Sequence, residues 1–278
     1  MPSRVGQYYT LVNLDKREFF QTYASTPNAN GSYSLFFTIF YCGSKMWGHL
    51  LNKGQKAILA MALTHFSFPA LVEGEQVANP LAPLGTWSGD RIVFIGDYSE
   101  GVPPFFNSKD EQDLEAFSAV LKAKRADGEQ AYPPTLYSFA AETFKAVNVT
   151  DFVRVPNVEE KLATQFPDRS RTHHLILNLD KKEYLDPAVC KSPTKMGPAT
   201  TYVDLFSIEQ DGVMQGLFSL LFYSNGCGGG DVDAFRKGRW AGDRLSIRVK
   251  ETVEDLAEWT DISAEVEESL NAHIRNEK

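Results

Sequence analysis

Apolar and polar positions along the chain fall into short alternating runs broken by turn-forming clusters. Tyr9, Leu11 and Phe19 flank the polar segment Asn13-Leu14-Asp15-Lys16, which predicts a hairpin over residues 7–20. Asn and Asp favour that turn because their side chains bond nearby backbone and tolerate the left-handed region. Tyr33 to Tyr41 is a continuous aromatic and β-branched run, the pattern of a buried strand. Ile58, Leu59, Ala62 and Leu63 recur at helical spacing within Gln55 to His65. Gly85 to Ile95 reads as strand, tight turn at Gly89-Asp90, strand. Ser108 and Glu111 have capping-box spacing before a helix to about Arg125, with Leu114, Phe117 and Leu121 on one face. Pro133-Pro134 sets up a second helix striped by Leu136, Phe139, Ala140 and Phe144. Asn157 to Pro167 predicts a short helix.

From Thr172 the pattern starts again. His173 to Leu177 predicts a strand, and Leu185-Asp186-Pro187 closes its hairpin. A strand is expected at Thr201 to Glu209 and a helix at Val213 to Tyr223. A glycine-rich loop, Ser224 to Asp233, leads to Gly238-Arg239-Trp240-Ala241-Gly242-Asp243-Arg244-Leu245. That stretch matches Gly85-Thr86-Trp87-Ser88-Gly89-Asp90-Arg91-Ile92 at Gly, Trp, Gly, Asp and Arg. Likewise Asn13-Leu14-Asp15-Lys16 returns as Asn178-Leu179-Asp180-Lys181. A last helix should start at Ser263, with Val266, Leu270 and Ile274 apolar.

The order of motifs is the same both times, which predicts an internal duplication. The expected units are residues 1–168 and 169–278, with a helical insertion at about 99–135 read as surface elaboration, since long insertions cost little. Strands and helices do not alternate strictly, so the expected class is α+β. Two similar units, each with antiparallel hairpins and two or three helices, would pack pseudo-symmetrically.

The 278 residues, 43% hydrophobic and 23% charged, suit a soluble globular protein with a sizeable core. Nineteen Phe and eleven Tyr point to an aromatic interior. A formal charge of −8 argues against nucleic-acid binding, which needs a basic field. No run of ~20 apolar residues predicts a membrane span. The start of the chain has no apolar run, which predicts no signal peptide. Three cysteines without Cys-x-x-Cys spacing suit a reducing compartment. The expected location is therefore cytoplasmic.

Two stretches could carry chemistry. Trp87, Asp90 and Arg91, and again Trp240, Asp243 and Arg244, could bind a polar ligand at a turn with the indole as a stacking wall. Turn formation alone accounts for the Gly and Asp, and core packing or a carboxylate partner would account for Trp and Arg. In Gly228-Gly229-Gly230-Asp231-Val232-Asp233, Gly229 and Gly230 could let backbone amides approach an anion. Asp231 and Asp233 could instead hold a hard cation. Cys227 beside them could act as a nucleophile if a histidine approached. His173 and His174 are strand neighbours and face opposite ways, so they cannot share a metal. No hydrolase elbow, zinc-protease or dinucleotide fingerprint is present, so no cofactor is assigned. The expected function is an intracellular tandem-repeat binding protein for a protein or small molecule. The alternative is a hydrolase with its site at the Gly-Gly-Gly-Asp loop and the second Trp-x-Gly-Asp-Arg stretch.

Overall fold

A computed structural model describes residues 9–21, 59, 62–63, 85–96, 99, 101–126, 135–148, 173–190, 211–223 and 237–276. The chain forms two compact units, each drawn from three segments. Unit 1 comprises Met1–Leu50, Arg91–Val147 and Phe218–Asp243, and unit 2 comprises Leu51–Asp90, Asn148–Leu217 and Arg244–Lys278. The backbone thus changes unit between Asp90 and Arg91, and again between Asp243 and Arg244. Both crossings fall inside the repeated stretch. Both units mix antiparallel and parallel strand pairs with helices, in keeping with an α+β architecture.

In unit 1, β1 (Tyr9–Asn13) and β2 (Glu18–Gln21) form the expected hairpin. β1 also pairs antiparallel with β3 (Arg91–Gly96), Val12 opposite Val93. β4 (Lys145–Asn148) extends the sheet beyond β2. α1 (Ser108–Ala126) and α2 (Leu136–Thr143) pack on this sheet. Leu114, Phe117 and Leu121 are buried with Leu136, Phe139, Val12 and Val93 in one core. The insertion therefore supplies core. The capping box of α1 is shifted by one residue from the expected Ser108 and Glu111. Asn107 Oδ1 accepts from Asp110 N (2.9 Å), and Asp110 Oδ2 accepts from Asn107 N (3.2 Å). Asn caps at least as well as Ser, and Asp110 is drawn inward by an arginine described below. Thr135 caps α2 in a reciprocal box with Ser138.

In unit 2, β5 (His174–Asn178) pairs antiparallel with β6 (Glu183–Leu185) and with β8 (Asp243–Val249). β9 (Thr260–Asp261) runs parallel to β6 and leads into α4 (Ser263–Asn276). Leu175, Leu177 and Val253 are buried together, covered by Leu179, Tyr184, Leu256 and Trp259. α3 (Asp211–Leu221) is the expected helix, and its end from Phe218 belongs to unit 1 together with β7 (Phe222–Tyr223), which pairs parallel with β3 there. Leu59, Ala62 and Leu63 are helical and fully buried. The strands expected at Tyr33–Tyr41 and Thr201–Glu209, and the helix at Asn157–Pro167, lie outside the described residues.

One expectation is corrected. Gly85 to Asp90 is not a strand leading into a hairpin. It is two successive turns, closed by Ser88 N to Gly85 O (3.1 Å) and Asp90 N to Trp87 O (3.2 Å). The second stretch does the same through Ala241 N to Gly238 O (3.2 Å) and Asp243 N to Trp240 O (3.0 Å). Gly89 (φ 88°) and Gly242 (φ 81°) each occupy the third place of their turn, which only glycine fills without strain.

Candidate functional site

The polar residues of the repeated stretches form two clamps. In unit 1, Asn13 Oδ1 accepts from Lys16 N (2.9 Å) and shapes the hairpin turn. That turn presents Asp15 to Arg91, whose N and Nε donate to the two carboxylate oxygens at 2.8 and 2.7 Å. Leu14 N donates to Arg91 O (2.9 Å), so the turn grips the start of β3 from both sides. Arg91 Nη1 also meets Asp110 Oδ2 (3.0 Å) and Phe105 O (3.4 Å). Burial pulls the guanidinium pKa down, but Asp15 and Asp110 outweigh it and hold it above its usual value.

Unit 2 repeats the clamp. Asn178 Oδ1 accepts from Asp180 N and Lys181 N, both at 3.0 Å. Asp180 takes Arg244 N and Nε, each at 2.7 Å, and Leu179 N donates to Arg244 O (2.9 Å). Arg17 (φ 53°) and Lys182 (φ 51°) share the left-handed conformation. Their carbonyls accept from Lys145 N and Thr260 N respectively. Burial raises the Asp180 pKa, but hydrogen bonds and charge from Arg244 win and leave it lowered. The clamps differ in cover. The Arg91 side chain is 18% exposed beneath the loop and helix of the insertion, whereas Arg244 is 53% exposed. The sequence flagged both arginines and the Asn-x-Asp-Lys motif. It gave no sign of Asp110, whose position in a helix cap looks purely local.

The turns carrying Trp87 and Trp240 are anchored by buried polar bonds. Trp87 N donates to Ala62 O (2.9 Å) and Gly89 N to Leu245 O (2.6 Å), all within unit 2. Trp240 N donates to Leu220 O (2.8 Å) and Gly242 N to Ile92 O (2.9 Å), all within unit 1. Each turn therefore docks on the strand that follows the other turn. Both indoles are 0% exposed, so they fill the interior and offer no face to solvent. Asp90 and Asp243 are half-buried in their turns. In unit 2 the Ser88 and Ser246 hydroxyls bond at 2.8 Å. The corresponding positions in unit 1 are Val93, in the apolar core, and Ala241, half-buried and packed against that core. Polar has met polar and apolar has met apolar.

Cys227, Gly229, Gly230, Asp231 and Asp233 lie outside the described residues, as do His49 and His65. Among the described residues no group of three or more His, Cys, Asp and Glu is placed to hold a metal ion. His173 Nε2 lies 2.7 Å from Asp186 Oδ1, and Lys250 Nζ is 3.4 Å from Asp186 Oδ2. The same Asp186 bonds Ala188 N, and its own N–H donates to Ser263 Oγ (2.6 Å). Ser263 Oγ in turn donates to Asp261, so this network fastens the start of α4. Cys190 is buried, and burial with the nearby Glu267 charge pushes its thiol up to about 12. A thiol held neutral in this way is a poor nucleophile.

A concavity with described walls lies in unit 1. It is an open groove of about 440 Å³ between α1 and α2. Phe117, Leu121 and Phe139 form its floor, and the Phe117 and Phe139 rings are 5.5 Å apart. Arg17 closes one end, with its guanidinium 5.8 Å from the Phe139 ring and paired to Asp113. Val120, Lys124, Glu142 and Thr143 stand at the rim. This site was not legible in the sequence, because it needs the faces of two helices together.

Comparison with family models, curated proteins and solved structures finds no match for this chain. Among the described residues no helix is long and apolar enough to cross a membrane.

Proposed function

We propose that this chain is a binding protein built from two copies of one α+β module, and that its partner seats on the groove between α1 and α2. The duplication is supported by matched bonds in the two clamps and the two Trp turns. The motif residues that could have done chemistry spend their polar groups on holding the fold. The observation that carries the binding reading is the groove itself: open, floored by Phe117, Leu121 and Phe139, and rimmed by charge. Phe117, Leu121 and Phe139 are at most 9% exposed, and Val120 on the edge, 55% exposed, is the apolar side chain a partner would cover. Exposed apolar surface with a polar rim is the usual make-up of an interaction site. With a formal charge of −8, a protein partner fits better than a nucleic acid. Three cysteines without Cys-x-x-Cys spacing support a cytoplasmic setting for this reading.

The test is selection from a random peptide display library on the intact chain, with counter-selection on Val120→Glu/Thr143→Arg. Both sites are at the rim, so this variant should keep the wild-type near-ultraviolet dichroism. Peptides retained by wild type and lost on the folded variant are the expected result. A selection that returns no groove-dependent peptide would contradict the reading.

A further inference from the structure

Resting on that reading, we infer that the groove takes an amphipathic helix from a partner protein, lying along α1 with an acidic residue at Lys124 and a basic one at Glu142. Asp113, Ala116, Val120 and Lys124 line the groove at spacings of three and four, one stripe of α1. From Asp113 to Lys124 that stripe runs about 16 Å, the length of three helical turns. The walls are helix faces and the polar groups they offer are side chains. Among the described residues lining the groove a bound strand would find no sheet edge to satisfy its N–H and C=O groups, whereas a helix satisfies its own. An apolar stripe at i, i+3 or i+4 and i+7 would cover Val120, 55% exposed, and meet the uncovered edges of Phe117 and Leu121.

The charges give the direction. Arg17 is engaged by Asp110 and Asp113, and Lys109 also pairs with Asp113. Lys124 and Glu142 make no ion pair with a described residue, and they stand at the C-terminal end of α1 and the last turn of α2. An acidic residue is most favourable in the first turn of a helix, where it also meets the helix dipole. The partner helix therefore starts near Lys124 and runs antiparallel to α1.

The experiment is fluorescence anisotropy of labelled synthetic peptides of ~12 residues, three turns, titrated with the full chain. One peptide carries the apolar stripe with an acidic first turn and a basic residue placed for Glu142. A second has those charges exchanged, and a third has the first peptide's composition broken by proline. The expected result is saturable binding of the first, weakened about tenfold or more by Val120→Glu. Glu142→Lys should weaken the first peptide and strengthen the second. Equal binding of the proline peptide would overturn the helix. Display-selected peptides that bind while the first does not would overturn the inference and leave the binding reading standing. Concentration-dependent dimerisation abolished by Val120→Glu would make a second copy the occupant and overturn it as well.

Discussion

Gly89 and Gly242 hold the same place in the two turns, with φ of 88° and 81°, but different surroundings. A Cβ on Gly89 would meet nothing within 4 Å. A Cβ on Gly242 would overlap the Phe105 ring. Phe105 cannot move aside freely, because it packs edge-on against Tyr223 at 5.0 Å and its carbonyl accepts from Arg91. Gly89→Ala should therefore cost only the left-handed backbone, about 1–2 kcal/mol. Gly242→Ala should cost that plus about 1–3 kcal/mol of overpacking. At about 2–4 °C per kcal/mol for a chain of this size, the two melting points should separate by several degrees. Guanidinium midpoints of wild type, both single variants, Phe105→Leu and Gly242→Ala/Phe105→Leu measure the difference. The double variant should regain about 1 kcal/mol against additivity, because the smaller side chain yields to the methyl group. Equal costs at the two glycines, or strict additivity with Phe105→Leu, would refute the placement of the second turn against the insertion.

Other expectations follow from the clamps and the buried thiol. Arg91→Ala removes a partner from Asp110, whose side chain is 8% exposed, and should cost about 3 kcal/mol. Arg244→Ala, at an exposed pair, should cost about 1 kcal/mol or less, and denaturant titration of the two variants ranks them. Asp180 has a lowered pKa, so its contribution is present above the ordinary carboxylate value and is lost as pH falls through the folded one. Asp180→Asn should therefore flatten the loss of stability below pH ~4, read from melting points across an acid series. Cys190 should resist iodoacetamide at pH ~8 in the native state and react in denaturant, as peptide mapping would show; rapid native labelling would contradict its burial.

The hairpins and the helices of the insertion were legible because their signals are local. Asn13-Leu14-Asp15 forms its own turn, and Leu114, Phe117 and Leu121 share a helix face whatever lies beneath. The Trp stretches misled for the same reason. Gly-Asp between β-type residues resembles a hairpin, but the Trp side is tied by its amide to the Ala62 or Leu220 carbonyl and runs through two successive turns. The sequence does show that Asn-x-Asp-Lys and Gly-Asp-Arg recur together, and the structure shows why: one supplies the carboxylate for the other's arginine. What no periodicity encodes is which strand receives which turn. The contact of Ser88 with Ser246, where unit 1 has Ala241 against the core that holds Val93, was visible as residues but not as a contact. Asp110 and the groove were hidden likewise, since each depends on elements far apart in the chain.

Each unit is completed by the Trp turn from the other half of the chain, and a disulfide at Ser88 and Ser246 probes this without disturbing the clamps. The two hydroxyls are 2.8 Å apart, close enough for a cysteine pair to bond with little movement. Oxidation of Ser88→Cys/Ser246→Cys, read by peptide mapping under non-reducing conditions, should give a linked peptide joining residues 88 and 246 in folded protein. Failure of that bond to form in protein with native circular dichroism would mean that the first Trp turn does not lie on β8, and the exchanged architecture would be wrong.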